Sequence, residues 1–129
     1  VIVIDASILA KIILKEEGWE QITLTPSTIT LDYAFVECTN AIWKAVRRNR
    51  IPRESITDRL EVLRLIRNSL IVAKVEDFFE RGLEIALDEG ITVYDAFYIA
   101  LAESLDARLI TADERQYEVA KNYVPAKLV

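Results

Sequence analysis

Val1-Ile2-Val3-Ile4-Asp5-Ala6-Ser7 is the stretch that decides the fold. Four β-branched residues run without a polar break and then meet an aspartate. A short run of this composition reads as a strand buried on both faces, as in the middle of a parallel sheet. Asp5 falls where that strand should end. In open parallel sheets the working residues gather just beyond the carboxyl ends of the strands. Asp5 is therefore expected to anchor a metal site on which later acidic residues converge.

Working outward, residues 6–17 read as a helix with Ile8, Leu9, Ile12 and Ile13 as its apolar stripe and Gly18 as its stop. Residues 19–25 read either as a short helix or as an irregular turn before Pro26. Thr28-Ile29-Thr30-Leu31 alternates and is β-branched, which predicts a short strand. Asp32 has the right chemistry to cap a helix over 33–49. On that helix Glu37, Asn40, Ala41 and Lys44 share a narrow polar face. Pro52 opens a further helix to about residue 68, with Ile56, Leu60, Leu63 and Ile66 inward. A strand over 70–75, a helix over 76–89 closed by Gly90, and a helix over 94–105 capped near Thr92 follow. A strand over 108–111, a helix over 113–122 and a terminal strand over 124–129 complete the alternation. Strands alternating with helices imply a parallel sheet covered on both faces.

The 129 residues fit one domain spanning 1–129, large enough to bury a core. Hydrophobic content of 52% with 29% charged residues indicates a globular chain. No segment is long and uncharged enough to span a bilayer, and Asp5 and Lys11 interrupt the apolar start, which argues against a leader peptide. A single cysteine, Cys38, permits no internal disulfide and suggests a cytoplasmic location. Histidine is absent, which excludes Ser-His-Asp and Cys-His catalysis and removes the commonest zinc ligand. A net charge of −5 argues weakly against nucleic-acid binding by bulk charge, though not by a local basic patch.

Four carboxylates stand out by position. Asp5 and Asp113 each follow an apolar strand directly. Glu37 lies on the polar stripe of its helix. Asp95 sits in the otherwise apolar Val93–Ala102 segment with no basic residue one helical turn away. Carboxylates facing one another raise each other's pKa, and a divalent cation removes that penalty. Hard oxygen donors select Mg²⁺ or Mn²⁺, and one or two such ions can serve phosphodiester hydrolysis. Each residue also has a plain reading. Asp5, Asp113 or Asp95 would be a helix cap, and Glu37 a surface residue. The joint pattern favours the acidic site.

Ile4-Asp5-Ala6-Ser7, Glu37-Cys38-Thr39-Asn40, Tyr94-Asp95-Ala96 and Leu109-Ile110-Thr111-Ala112-Asp113 together resemble the PIN-domain nucleases, most closely the archaeal VapC toxins. The resemblance runs from Val1 to about Val124, and the segment between Gly18 and Leu31 is shorter than in many relatives. It implies an α/β three-layer sandwich with a central parallel sheet of four or five strands. It implies a Mg²⁺- or Mn²⁺-dependent endoribonuclease, acting as the toxin of a VapBC-type pair and restrained by a VapB-type antitoxin. Asp5, Glu37, Asp95 and Asp113 would be the catalytic and metal-holding acids, with Ser7, Asn40 and Thr111 in support. The alternative is a catalytically silent PIN-fold module that binds RNA or protein.

Lys44 and Arg47 are candidates for contact with RNA phosphates. Arg50 and Arg53 read better as cations at a helix C-terminus, and Lys11 as a solvated lysine. Cys38 reads as a small buried hydrophobe. Trp43, Phe78, Phe79, Phe97 and Tyr98 read as core or interface. The high apolar fraction suggests a homodimer or a partner on one helical surface.

Overall fold

A computed structural model describes all residues, 1–129. Five strands form one sheet: β1 (Ile2–Ile4), β2 (Thr28–Leu31), β3 (Ile71–Ala73), β4 (Arg108–Thr111) and β5 (Ala126–Leu128). Their order is β3-β2-β1-β4-β5 and every pairing is parallel. Six α-helices flank it: α1 (Ala6–Ile13), α2 (Tyr33–Arg47), α3 (Ile56–Ser69), α4 (Phe79–Glu89), α5 (Val93–Ser104) and α6 (Glu114–Ala120). Helices α1, α2 and α3 pack on one another, and α4 packs on α5. Right-handed crossovers place the first group on one face and α4 to α6 on the other, giving three layers.

The run Val1–Ile4 becomes the central strand, as its composition demands. Val3 and Ile4 are fully enclosed, with Ile8, Leu9, Leu31, Ile99 and Leu109 in the same core. The edge strand β3 is only half-buried. No helix is long and apolar enough to cross a membrane.

Several element ends differ from expectation. Helix α1 stops at Ile13, four residues before Glu17. Lys15 takes φ 51°, its N–H bonds to Ile12 O, and the Glu16 N–H bonds to Lys11 O. That is a Schellman ending with lysine in the left-handed position usually held by glycine. Asn49 (φ 56°) closes α2 and Asp106 (φ 50°) closes α5 with the same bond pattern. Gly18 instead precedes a single 3₁₀ turn, Trp19–Gln21. Gly90 ends α4 as expected. Asp32 does not cap α2 with its side chain. Its own backbone is helical, and its Oδ1 accepts the Val75 N–H at 3.0 Å, which ties the end of β2 to the chain leaving β3.

Candidate active site

The chain turns from β1 to β2 on one side of the sheet and later returns past β1 to β4 on the other. The crevice between the carboxyl ends of β1 and β4 is thus a topological switch point, where ligands of parallel sheets bind. Ile4 is paired with Ile110, which sets Thr111 abreast of Asp5.

Asp5 is 5% exposed and is held by two hydroxyls. Ser7 Oγ donates to Oδ1 at 2.5 Å and Thr111 Oγ1 donates to Oδ2 at 2.5 Å. The Ser7 N–H also reaches Oδ1, so Asp5 is the N-cap of α1. The hydroxyls accept in turn: Ser7 Oγ from the Ala112 N–H and Thr111 Oγ1 from the Asp113 N–H. Ser7 and Thr111 thereby fasten the loop after β4 to the end of β1. Burial pushes the Asp5 carboxyl up to about 6 against the lowering effect of the two hydroxyl donors, and Asp95 adds to the rise.

Glu37 enters from α2. Its Oε1 accepts a 2.6 Å hydrogen bond from the phenol of Tyr98, which is 2% exposed. Burial is the main cause that lifts Glu37 to about 7. The Tyr98 donor opposes it, and Asp5 and Asp95 reinforce it. Asp95 is half-buried in the first turn of α5 and is also raised, first by burial and then by Asp113, with Arg115 acting the other way. Asp113 is exposed and caps α6, its Oδ1 accepting the Gln116 N–H. The capping readings of Asp5 and Asp113 are therefore correct. Capping occupies one face of each carboxylate and does not remove it from the crevice.

Asp95 raises the pKa of Asp5, Asp5 and Asp95 raise that of Glu37, and Asp113 acts on Asp95 alone. None forms an ion pair. The salt bridges of the chain join Arg50 to Glu16, Arg81 to Glu84 and Glu103, and Lys121 to Glu118. No three carboxylates stand close enough to make a ready-made metal cage. An ion held among them would keep several of its waters, as Mg²⁺ does. The all-oxygen donor set, with Asp5 buried and none of the four acids ion-paired, fits a hard cation.

A cleft of about 540 Å³ is lined by Glu37 but not by Asp5, Asp95 or Asp113. Ser7, Glu37, Asn40 and Lys44 line it, so the polar face read on α2 does point there. Arg47 does not. It lies beside the Trp43 ring and lines a separate groove with Ile56 and Leu60. A larger hollow of about 960 Å³ near the end of α1 contains Lys11, Lys15 and Arg50 but none of the four acids. Cys38 is buried, and burial pushes its thiol up to about 12, which excludes it as a nucleophile.

Three features of the site carried no functional expectation. Tyr98 read as core, yet it lies three residues after Asp95 and so on the same helical face. Gln116 is 1% exposed and donates through Nε2 to the Asp95 carbonyl at 2.9 Å. Asp113-Glu114-Arg115-Gln116 has the spacing of a capping box, but the Asp113 N–H bonds to Thr111 Oγ1 and the Gln116 amide turns to Asp95 instead. Tyr33 and Tyr94 stack on each other at the cleft.

The sequence matches the PIN domain family over residues 2–122. It is 34% identical over 121 residues to Ribonuclease VapC3 of Pyrobaculum aerophilum, covering 91% of this chain and 92% of that protein. The fold is similar to the crystal structure of PAE2754 from Pyrobaculum aerophilum, with a TM-score of 0.70 at 24% identity over 96% of this chain and 82% of the other. It is also similar to a chain of a toxin-antitoxin complex from Klebsiella pneumoniae, with a TM-score of 0.62 at 14% identity over 91% and 90%.

Proposed function

The chain belongs to the PIN domain family, and from that premise we propose that it is a Mg²⁺- or Mn²⁺-dependent endoribonuclease, the toxin of a VapBC-type pair. The observation that carries the reading is that buried Asp5 and half-buried Glu37 and Asp95 gather at the β1–β4 switch point without ion-pair partners, their pKa values raised through burial and mutual repulsion. The similarity to a protein named as a ribonuclease supports RNA as the substrate.

Asp5, Glu37, Asp95 and Asp113 would hold the divalent ion. When bound, it supplies Lewis acidity toward the scissile phosphate and lowers the pKa of the attacking water. The chain's own residues do the rest. Ser7 and Thr111 fix the Asp5 carboxylate by spending their single protons on its two oxygens. Tyr98 holds Glu37 through Oε1 and leaves Oε2 for the ion. Asn40 and Lys44 line the approach, and Lys44 offers a cation for an RNA phosphate.

The antitoxin would cover this acidic cleft, and an arginine from it would meet the carboxylates in charge-assisted hydrogen bonds. The exposed row Phe79, Leu83 and Leu87 along α4 supports a homodimer. The test is cleavage of single-stranded RNA with Mn²⁺ by the purified chain beside Asp5→Asn and Asp95→Asn. Both variants should keep the wild-type circular dichroism and lose cleavage by at least about a hundredfold. Binding of RNA without metal-dependent cleavage by the wild type would favour the silent binding module instead.

A further inference from the structure

The mouth of the cleft carries a pair of side chains that the acid chemistry leaves unused. Tyr33 opens α2 and Tyr94 lies in the first turn of α5. Their ring centroids are 5.6 Å apart and their planes differ by 10°. Both line the same cleft as Glu37 and Lys44. Tyr33 is one helical turn ahead of Glu37, and Tyr94 is adjacent to Asp95, so the two acids and the two rings come from the same two helix starts. Tyr94 is 49% exposed, so about half of the residue remains open to water while it is stacked on Tyr33. A pair serving only to join α2 to α5 would gain by burying both rings. This pair instead keeps Tyr94 half-exposed in the cleft that Glu37 lines.

We propose, resting on the ribonuclease reading, that the Tyr33–Tyr94 stack is a platform for one unpaired nucleobase of single-stranded RNA. A base laid on the outer face of Tyr94 extends the stack to a third ring. Its own phosphate then faces the carboxylates, with Lys44 in the same cleft as a counter-charge. Stacking needs an exposed base face, so paired RNA is rejected because its bases are already covered. Every base has such a face, so the platform sets strandedness and the position of the cut more than sequence. Tyr33 backs Tyr94 and keeps its ring from turning away, so the base meets a surface that is already ordered.

The test uses the full chain in an Asp5→Asn background with Mg²⁺, so that binding is read without cleavage. The probe is a short fluorescein-labelled single-stranded RNA followed by fluorescence anisotropy, together with copies carrying one abasic nucleotide at successive positions. Tyr94→Phe keeps the ring and should bind as the parent does. Tyr94→Leu keeps bulk but removes the aromatic face and should weaken binding about fivefold or more. One abasic position should weaken binding to the Tyr94-containing protein by the same factor and leave the Tyr94→Leu protein indifferent. Equal binding by the leucine variant, or equal abasic penalties in both proteins, overturns the platform. If the leucine variant does not fold, a uniform abasic profile on the Tyr94-containing protein overturns it alone. Cleavage of the same RNA by the wild type with Mn²⁺ separates the two ideas. Cleavage with no platform effect sinks only the platform, whereas no binding and no cleavage sinks the ribonuclease reading with it.

Discussion

Tyr98 on α5 donates its phenolic proton to Glu37 on α2 across 2.6 Å, and the two residues are 61 positions apart. The bond satisfies a hydroxyl that burial would otherwise leave without a partner, and it fixes one oxygen of the only acid contributed by α2. Burial and the neighbouring Glu37 charge push the Tyr98 phenol up, so it stays protonated and remains the donor.

Tyr98→Phe tests that relationship. Its loss should cost about 1–2 kcal/mol of stability, the usual range for removing one partner of a buried hydrogen bond. The Tyr98 donor lowers the Glu37 pKa, so without it Glu37 should titrate further above 7. Metal affinity at pH 7 should fall, because the ion has to displace a more tightly held proton. A thermal melt and a Mn²⁺ titration read both effects, and an unmoved metal affinity would leave Tyr98 with packing alone.

Stability should depend on pH and on metal in a defined direction. Asp5 moves from an ordinary 3.8 to about 6 on folding, and Glu37 from 4.5 to about 7. Both folded values lie above the unfolded ones, so between them the folded chain binds more protons than the unfolded chain. The stability they contribute is present below about pH 4 and is lost as pH rises toward 7. For Asp5 alone the loss is on the order of 3 kcal/mol. Mg²⁺ or Mn²⁺ binds the ionised carboxylates and should restore melting temperature at pH 8 while doing little at pH 4. Calorimetry across pH with and without metal measures this. A metal response equal at both pH values would contradict it.

Gln116 joins two acid-bearing helices by bonding to the Asp95 carbonyl while its own N–H is capped by Asp113. Its Oε1 is buried with no partner in the chain. Gln116→Leu removes one good bond and one unpaired acceptor together, so it should change stability by no more than about 1 kcal/mol. Gln116→Glu places another carboxylate at a 1% exposed position beside Asp95 and should cost about 3 kcal/mol or more. Chemical denaturation of the two variants checks the contrast. Equal costs would mean that charge is not the issue at this position.

Gly82 lets α4 lie close on α5. A Cβ there would meet the Phe97 ring at 2.4 and 2.8 Å, and Phe97 is itself packed against Phe79. Alanine improves helix propensity by about 1 kcal/mol, yet Gly82→Ala should lower stability by about 1–3 kcal/mol because the ring has to move. Adding Phe97→Leu should recover part of the loss, a coupling that a double-mutant cycle measures. A stabilised Gly82→Ala protein would show that the helices separate easily.

Much of this molecule was legible in one dimension. Val1–Ile4 could be read as the central strand because a β-branched run without polar residues is tolerated only where both sheet faces are covered. Glu37, Asn40, Ala41 and Lys44 could be placed on one face because helical spacing alone fixes it. The helix ends were harder to read. Lys15, Asn49 and Asp106 stop their helices from the left-handed conformation, and nothing in a lysine announces that role. Asp32 has the chemistry of a cap, but its carboxylate went to the Val75 N–H, 43 residues later.

The sequence by itself determined the alternation of strands and helices and the set of acids at element ends, because both follow from local periodicity and from residue type. Only the tertiary structure decided which partners those acids received. Asp5 meets Thr111 because β1 and β4 are neighbours in the sheet, and Glu37 meets Tyr98 because α2 and α5 start at the same edge. Those contacts span 106 and 61 residues, a range over which composition and periodicity carry no information and the path of the backbone supplies all of it.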